Sequence, residues 1–223
     1  RFARSLGLAM FAFMQRNPEI THSDPVVGRY SDFLGTIQLP ASINIMQTRP
    51  LAGSALLVLD RQLVSTIVDL MFGGTGRPMR KSEGREFSMT EKRLIQKLID
   101  LSSSEYSRAW ESIHPMELVF TRSESQPQFA NIAIPAEMVV STTFTLDFNG
   151  QSGTIQVCIP YTVLEPIRDT LSSSLNTNSG EEKRSWLGQM SKEIKPAGVE
   201  LVAELTTATL TLGELMKLQT GDV

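Results

Sequence analysis

The sequence predicts an α/β fold in which two pseudo-symmetric halves share one core. Residues Gly53–Asp69 and Gly153–Asp169 follow one plan, 100 positions apart. Each stretch opens with glycine, runs into a short apolar strand, meets a polar or proline residue and continues as an amphipathic helix, in which Val64 matches Leu164. A period of this length is too long for a solenoid, so it indicates two half-domains related by a pseudo-two-fold axis.

The composition is that of an ordinary globular protein, with 223 residues, 41% hydrophobic and 20% charged. This length suffices for one large domain and part of a second. A net charge of −3 provides no general attraction for nucleic acid or anionic lipid. The single cysteine, Cys158, excludes an internal disulfide, and its apolar surroundings predict a buried side chain.

Helical periodicity and capping signals predict the helices. Asn17-Pro18 ends the first helix, and the pair Gly73-Gly74 suits a left-handed C-cap. Ser88 and Glu91 form a capping box that opens the longest helix. Since the apolar residues of the first segment recur at helical spacing, that segment is a helix of the domain and not a signal peptide. The predicted helices are Arg1–Arg16, Arg61–Phe72, Thr90–Ile113, Tyr161–Leu171 and Glu181–Lys195.

Alternating or continuous apolar runs predict the strands. Asn149-Gly150 is a hairpin turn signal, because both residues tolerate positive φ. Ser31–Pro40 is expected to be mixed loop and strand. The predicted strands are Ser42–Met46, Gly53–Leu59, Leu118–Arg122, Ala130–Ile134, Val139–Phe148, Thr154–Ile159, Val199–Leu205 and Ala208–Leu212.

A linker separates two predicted domains. Ser172–Gly180 is rich in serine and asparagine and has little to bury. We therefore place the first domain at residues 1–171, the linker at 172–184 and a second, partial domain at 185–223. The last segment is too short to bury a core alone, so we expect another chain or further residues to complete it.

Residues that carry chemistry are scarce. His22 and His114 lie far apart without nearby metal-binding partners, which predicts no metal site. No nucleophile-elbow motif accompanies the serines. Asp60 and Asp69 are interpreted as solvated polar positions and not as paired catalytic carboxylates.

The glycine-rich stretch Gly73–Arg77 is the most unusual local sequence. Closely spaced glycines let backbone amides approach a phosphate. However, this stretch follows a helix, whereas a phosphate loop follows a strand and carries a Lys-Ser/Thr pair. Two interpretations remain open: a plain turn, and an exposed loop, flanked by Phe72 and Arg77, that another protein binds.

Several segments, in order along nearly the whole chain, resemble the FliM family of flagellar motor switch proteins. They are Asp69–Arg77, Glu83–Phe87, Thr90-Glu91, Tyr106–Trp110, Arg122–Glu124, Ile159–Tyr161 and Glu165–Ile167. The resemblance implies a CheC-like α/β/α sandwich of two pseudo-symmetric halves. It also implies that the residues after the linker begin a small, β-rich FliN-like (SpoA) domain.

The same resemblance implies a non-enzymatic subunit of the motor's C-ring, at the cytoplasmic face of the inner membrane in the flagellar basal body. The implied partners are FliG, FliN and neighbouring copies of the chain, and phosphorylated CheY through an amino-terminal segment absent from this chain. No cofactor, metal, nucleic acid or membrane insertion is implied. The residues implied to bind FliG are Phe72, Gly73, Gly74, Thr75, Gly76 and Arg77.

The resemblance also raises an enzymatic alternative, a CheC-type phosphatase of a phosphorylated response regulator. Such phosphatases carry Glu-x-x-Asn on one helix face, where the two side chains orient a water molecule. Here Glu105 is followed at the third position by Arg108. A guanidinium has no acceptor oxygen, so this departure argues against phosphatase activity.

Overall fold

The structure is a computed structural model that describes residues 1–76, 87–171, 210–217 and 219. The chain divides into two units, residues 1–176 and 177–223. In the first unit, seven antiparallel strands form one sheet with helices on both faces.

The described residues of the first unit contain five α-helices, two short 3-10 helices and a further helical turn at residues 168–171. The α-helices are α1 (Phe2–Met14), α2 (Tyr30–Thr36), α3 (Arg61–Met71), α4 (Met89–Trp110) and α5 (Tyr161–Leu164). The 3-10 helices are Pro127–Phe129 and Glu165–Ile167. The strands are β1 (Glu19–His22), β2 (Val26–Arg29), β3 (Ala41–Arg49), β4 (Ser54–Asp60), β5 (Glu117–Glu124), β6 (Met138–Asp147) and β7 (Ser152–Pro160).

The sheet has the order β1-β6-β7-β4-β3-β5, and β2 also pairs with β6. Glu19 of β1 lies opposite Asp147, and Arg29 of β2 lies opposite Met138. Between them, the Ser23 amide donates to the Thr143 carbonyl at 2.9 Å. The two short strands therefore form one interrupted edge strand along β6.

The two-fold relation is visible in the central strand pair. β4 and β7 run antiparallel with Leu57 opposite Val157, two residues that the repeat itself relates. The pseudo-two-fold axis therefore passes between them. The strand order is equivalent on either side, and each half contributes its edge strand to the other: β1 lies beside β6, and β5 lies beside β3. This arrangement confirms the duplicated plan.

The glycines that open the two repeats, Gly53 and Gly153, are required for the same physical reason. A Cβ at Gly153 would lie 2.4 Å from the Cα of Leu63 on α3. A Cβ at Gly53 would lie 2.4 Å from a methyl carbon of Val163 on α5. Each glycine thus lies against the equivalent helical residue of the other half, where a larger residue has no room.

The larger core lies between one sheet face and α1, α3, α4 and α5. The matched positions Val64 and Leu164 are both buried, and so are the equivalent positions Ile67 and Ile167. The ring of Phe2 on α1 packs edge-on against Tyr106 on α4, with centroids 5.3 Å apart. A smaller core on the opposite face lies beneath α2 and residues 130–133. The α/β/α layering is confirmed.

Several local predictions are confirmed. The first predicted helix is present as α1, which ends at Met14, before Asn17-Pro18, with Gln15 in the left-handed conformation at φ 56°. The Ser88 amide donates to the Glu91 carboxylate at 2.6 Å, and the Glu91 amide donates to the Ser88 hydroxyl at 3.3 Å. Asn149 and Gly150 both have positive φ in the β6–β7 hairpin.

Other local predictions are wrong. Ser31–Pro40 contains the helix α2, because Tyr30, Phe33 and Ile37 place one apolar face on the sheet. Ala130–Ile134 is not a strand, because it follows a 3-10 helix and turns where the Ile132 amide donates to the Ala130 carbonyl at 3.0 Å. By contrast, the helix predicted at Tyr161–Leu171 is helical throughout and thus confirmed, although it takes 3-10 geometry at Glu165–Ile167, where proline at position 166 cannot donate an amide hydrogen bond.

Little of the second unit is described. The linker at 172–184 and the predicted elements Glu181–Lys195 and Val199–Leu205 lie outside the described residues. The strand predicted at Ala208–Leu212 is wrong at its end. Thr211 caps a short helix, α6 (Leu212–Leu215), and its amide donates to the Glu214 carboxylate at 2.8 Å. The domain boundaries and the FliN-like assignment of this unit stay predictions.

Candidate partner-binding loop at the end of helix α3

The candidate site is the glycine loop, which we define as residues 72–76. It begins where α3 ends, and α3 is held firmly by its inner face. Leu63, Val64 and Ile67 on that face are fully buried against the sheet. The position at which the loop begins is therefore fixed relative to the sheet.

The first turn of the loop is a Schellman motif, a common way for a helix to end on glycine. The Gly73 amide donates to the Leu70 carbonyl at 3.1 Å, and the Gly74 amide donates to the Asp69 carbonyl at 2.8 Å. Gly73 has φ 84°, a left-handed value that favours glycine. The C-cap predicted at this glycine pair is confirmed.

The side chain of Asp69 closes the second half of the loop. Its Oδ2 accepts a hydrogen bond from the Gly76 amide at 2.7 Å. The same carboxylate lies beneath Gly74, where an added Cβ would come within 2.2 Å of Oδ2. The interpretation of Asp69 as a solvated polar position is therefore wrong, since its carboxylate is engaged by the backbone.

Gly76 packs back against α3. It is buried, has φ 85°, and its ideal Cβ position is 3.4 Å from Leu70 and 3.5 Å from Thr66. The loop consequently folds onto the helix that precedes it.

Apolar side chains at the helix end face solvent. The side chain of Phe72 is 77% exposed and that of Met71 is 48% exposed. Gly73 and Thr75 are also exposed, and Gly74 is half-buried. Four of the six residues predicted to bind a partner, Phe72–Thr75, thus lie together at the surface, whereas Gly76 is buried and Arg77 lies outside the described residues.

The amides of the loop are not arranged to bind a phosphate. Those of Gly73, Gly74 and Gly76 already donate to Leu70 and Asp69. A phosphate cradle needs such amides free to point at the anion. An exposed aromatic ring beside accessible backbone fits protein recognition better.

The other end of α3 is held by Asp60, whose carboxylate also joins the two halves. Its Oδ1 accepts from the Leu63 amide at 2.6 Å, and its Oδ2 accepts from the Thr154 amide at 2.8 Å and the Thr154 hydroxyl at 3.0 Å. Burial raises the pKa of Asp60, although these hydrogen bonds act to lower it. The interpretation of Asp60 as a solvated position is wrong as well.

Cys158 is a buried core residue, as predicted. Burial raises the pKa of its thiol to about 12, so the reactive thiolate is scarce at neutral pH. Among residues 1–76, 87–171 and the described part of the tail, no group of three or more potential metal ligands is found. No helix in those same ranges is long and apolar enough to cross a membrane.

The position that a phosphatase would use is occupied by an ion pair. Glu105 is buried, and Arg108 donates from Nη1 to both of its carboxylate oxygens, at 2.9 and 3.2 Å. The carboxylate therefore already has a cationic partner, and the amide that would complete a water-orienting pair is replaced by a guanidinium.

Sequence reasoning missed the role of Asp69. The available signal was its position, three residues before the helix C-cap, with glycines five and seven residues further on. An aspartate so placed can reach the amides of the turn that follows, as short polar side chains commonly do.

Comparisons with a family model and with individual proteins point to the same family. The family model for flagellar motor switch protein FliM matches residues 1–175. The Escherichia coli K12 protein of that name is 35% identical over 224 residues, covering 100% of this chain and 67% of the relative. The Pseudomonas aeruginosa protein is 31% identical over 223 residues, covering 100% of this chain and 69% of the relative.

Solved structures agree on the fold. The FliM middle domain from Vibrio alginolyticus aligns with a TM-score of 0.69 and 32% identity, covering 76% of this chain and 95% of that chain. A FliM chain solved in a FliG–FliM complex from Helicobacter pylori aligns with a TM-score of 0.69. It is 22% identical and covers 74% of this chain and 90% of its own, a likeness of fold.

Proposed function

This chain belongs to the FliM family of flagellar motor switch proteins, and on that premise we propose that its glycine loop binds FliG. The observation that carries the proposal is the 77% exposure of Phe72 at the end of a helix whose inner face is fully buried. An aromatic side chain held in solvent by a rigid scaffold is a typical anchor of a protein interface. The Helicobacter pylori FliM solved with FliG supports this choice of partner.

Each loop residue has a distinct role in the proposed contact. Phe72 supplies apolar area, and the exposed Gly73 lets a partner approach the backbone closely. Thr75 offers a hydroxyl beside them. Arg77 pairs with a carboxylate of FliG, as a guanidinium does well.

The subunit acts as a switch element and not as an enzyme. The ion pair between Glu105 and Arg108 supports this part of the proposal, because it occupies the carboxylate that a CheC-type phosphatase would need for catalysis. Family membership supports the remaining partners: FliN, through the tail, neighbouring copies in the ring, and phosphorylated CheY, through an amino-terminal segment. It also supports a location in the flagellar basal body, on the cytoplasmic face of the inner membrane.

Switching proceeds through a change in the orientation of the first unit. Because α3 is fixed on the sheet and the loop is bonded to α3, a tilt of the unit moves the loop with it. A signal can favour one tilt only if it binds the two orientations with different affinity. In this scheme, phosphorylated CheY supplies that difference, and FliG senses it at the glycine loop.

The first test compares two exposed phenylalanines. We expect Phe72→Ala to weaken FliG binding by about 2 kcal/mol, roughly thirtyfold, because it removes an interface anchor. Phe129→Ala is the matched control, since Phe129 is 53% exposed in the 3-10 helix Pro127–Phe129. Isothermal titration calorimetry with purified FliG measures both affinities, and circular dichroism confirms that both variants fold.

Equal affinity of Phe72→Ala and the parent chain for FliG would remove the loop from the interface. The same conclusion follows if Phe129→Ala loses as much affinity as Phe72→Ala.

A further inference from the structure

We infer that Asp69 is the positioning residue of the glycine loop, and that its carboxylate holds residues 74–76 in the shape that the partner recognises. The inference rests on the proposed function, in which this loop contacts FliG. It gives a specific role to Asp69, which the sequence analysis interpreted as a solvated polar position.

Asp69 contacts the loop at two points. Its backbone carbonyl accepts from the Gly74 amide at 2.8 Å, and its carboxylate accepts from the Gly76 amide at 2.7 Å. The first bond belongs to the Schellman motif and depends only on the backbone. The second depends on the aspartate side chain, and a charged acceptor makes it stronger than an ordinary amide–carbonyl bond.

The bond to Gly76 determines where the loop goes after its first turn. Gly76 is buried and packs against Leu70 and Thr66 of α3. If the carboxylate were removed while Gly76 stayed in place, a buried amide would lose its acceptor, which is unfavourable. The loop would instead swing outward until water solvates that amide, so that the backbone surface beside Phe72 changes shape.

The two adjacent glycines are required for different reasons. Gly73 has φ 84° and open space around its ideal Cβ, so the backbone conformation alone requires glycine there. Gly74 lacks such a φ, but its ideal Cβ would lie 2.2 and 2.3 Å from the two carboxylate oxygens of Asp69. A side chain at position 74 therefore displaces the carboxylate and breaks its bond to Gly76. Gly74 and Asp69 form one coupled unit, and Gly73 does not belong to it.

The first experiment separates the loop shape from the binding. In the full chain, Asp69→Ala is expected to speed hydrogen exchange at the Gly76 amide about tenfold, by nuclear magnetic resonance, and to weaken FliG binding about tenfold. Asp69→Asn keeps an acceptor oxygen at the same distance from the backbone, so it is expected to restore most of both properties. The melting temperature of Asp69→Ala is measured as well. If it is unchanged, a role of Asp69 in folding alone cannot explain the loss in Asp69→Ala and the rescue in Asp69→Asn.

The second experiment is a double-mutant cycle. Gly74→Ala is expected to weaken FliG binding in the parent chain and to add little in the Asp69→Ala background, where no carboxylate remains to be displaced. Gly73→Ala is the matched control and is expected to weaken binding equally in both backgrounds, because its strain is in its own backbone.

The outcomes distinguish this inference from the proposed function. Parent-like exchange at Gly76 in Asp69→Ala, failure of Asp69→Asn to rescue, or full additivity of Gly74→Ala with Asp69→Ala overturns the role of Asp69. If Asp69→Ala speeds exchange at Gly76 and yet neither Asp69→Ala nor Phe72→Ala changes the affinity for FliG, the assignment of FliG to the loop is overturned.

Discussion

Asp60 and Asp69 stand nine positions apart and hold the two ends of helix α3. The carboxylate of Asp60 accepts from the first turn of the helix and from Thr154 on β7. That of Asp69 accepts from the loop beyond the last turn. Residue type alone identifies neither role, because a polar residue beside a helix looks the same whether its oxygens meet water or a backbone amide.

Asp60 makes a prediction about the dependence of stability on pH. Burial raises its pKa above the ordinary value of 3.8. The folded chain therefore holds this proton more tightly than the unfolded chain, so the stability that Asp60 contributes falls as pH rises through this range. Asp60→Asn retains the helix cap and cannot titrate. The stability of the parent relative to Asp60→Asn is expected to be highest below about pH 4 and to decline at higher pH.

Urea unfolding of both proteins at several pH values measures this difference. Asp24→Asn, at an exposed position, is the control for the general effect of pH on the chain. A stability difference that grows with rising pH would show that the hydrogen bonds from Leu63 and Thr154 outweigh burial, and would contradict the prediction.

At the scale of secondary structure elements, long amphipathic helices and buried strands could be predicted. Helices α1, α3 and α4 each cover enough turns for the apolar period to stand out, and two of them carry clear end signals. β4 is buried on both faces and forms a continuous apolar run, whereas β7 alternates at Ile155 and the half-buried Gln156 before the buried run Val157–Ile159.

Short and exposed elements could not be predicted. β1 and β2 are four residues each, and the exposed edge shows no alternation, since Val26 and Val27 are 60% and 59% exposed. α2 has seven residues and includes Gly35, too few for a helical period. The apolar run Ala130–Ile134 resembled a strand, but tertiary packing buries Ala130 under α2 and leaves Ile134 68% exposed.

The contact between β7 and α3 gives a prediction for a single glycine. Gly153→Ala is expected to lower the free energy of unfolding by about 2 kcal/mol or more, because its Cβ would meet the backbone of Leu63 at 2.4 Å and backbone cannot easily yield. Gly28→Ala on β2 is the matched control, with no atom within 4 Å of its ideal Cβ. Its stability is expected to change by less than about 0.5 kcal/mol.

Chemical denaturation of the two alanine variants provides the measurement. If Gly153→Ala proved as stable as Gly28→Ala, the close approach of the two halves at this point would be refuted.

At the scale of the whole molecule, the first unit is a pair of interlocked halves. Each half lends an edge strand to the other, each repeated glycine lies against the helix of the other, and Asp60 of one half bonds Thr154 of the other. The halves differ at the helix that follows the repeated strand: α3 runs as an α-helix for eleven residues to the glycine loop, whereas the helical residues 161–171 include a 3-10 turn at Glu165–Ile167. The proposed partner site therefore belongs to the first half.

The architecture and the site were predictable to different degrees. The duplicated strand–helix pattern alone indicated a pseudo-two-fold core, because apolar residues at equivalent core positions of the two halves recur at a fixed spacing in the sequence. The glycine loop stood out by composition, but local physics left it open between a turn and a binding loop. Only the family resemblance connected Phe72 and its neighbours with FliG, since recognition depends on the surface of a second protein.

The central claim is that FliG contacts this chain at the glycine loop. Cross-saturation from FliG to the isotopically labelled chain, detected residue by residue by nuclear magnetic resonance, tests it most directly. We expect the strongest saturation transfer at Met71–Thr75, where the exposed side chains and backbone lie, and none at Tyr30–Thr36 on the opposite face of the sheet. Saturation confined to α2, or to any surface that omits Phe72, would contradict the account.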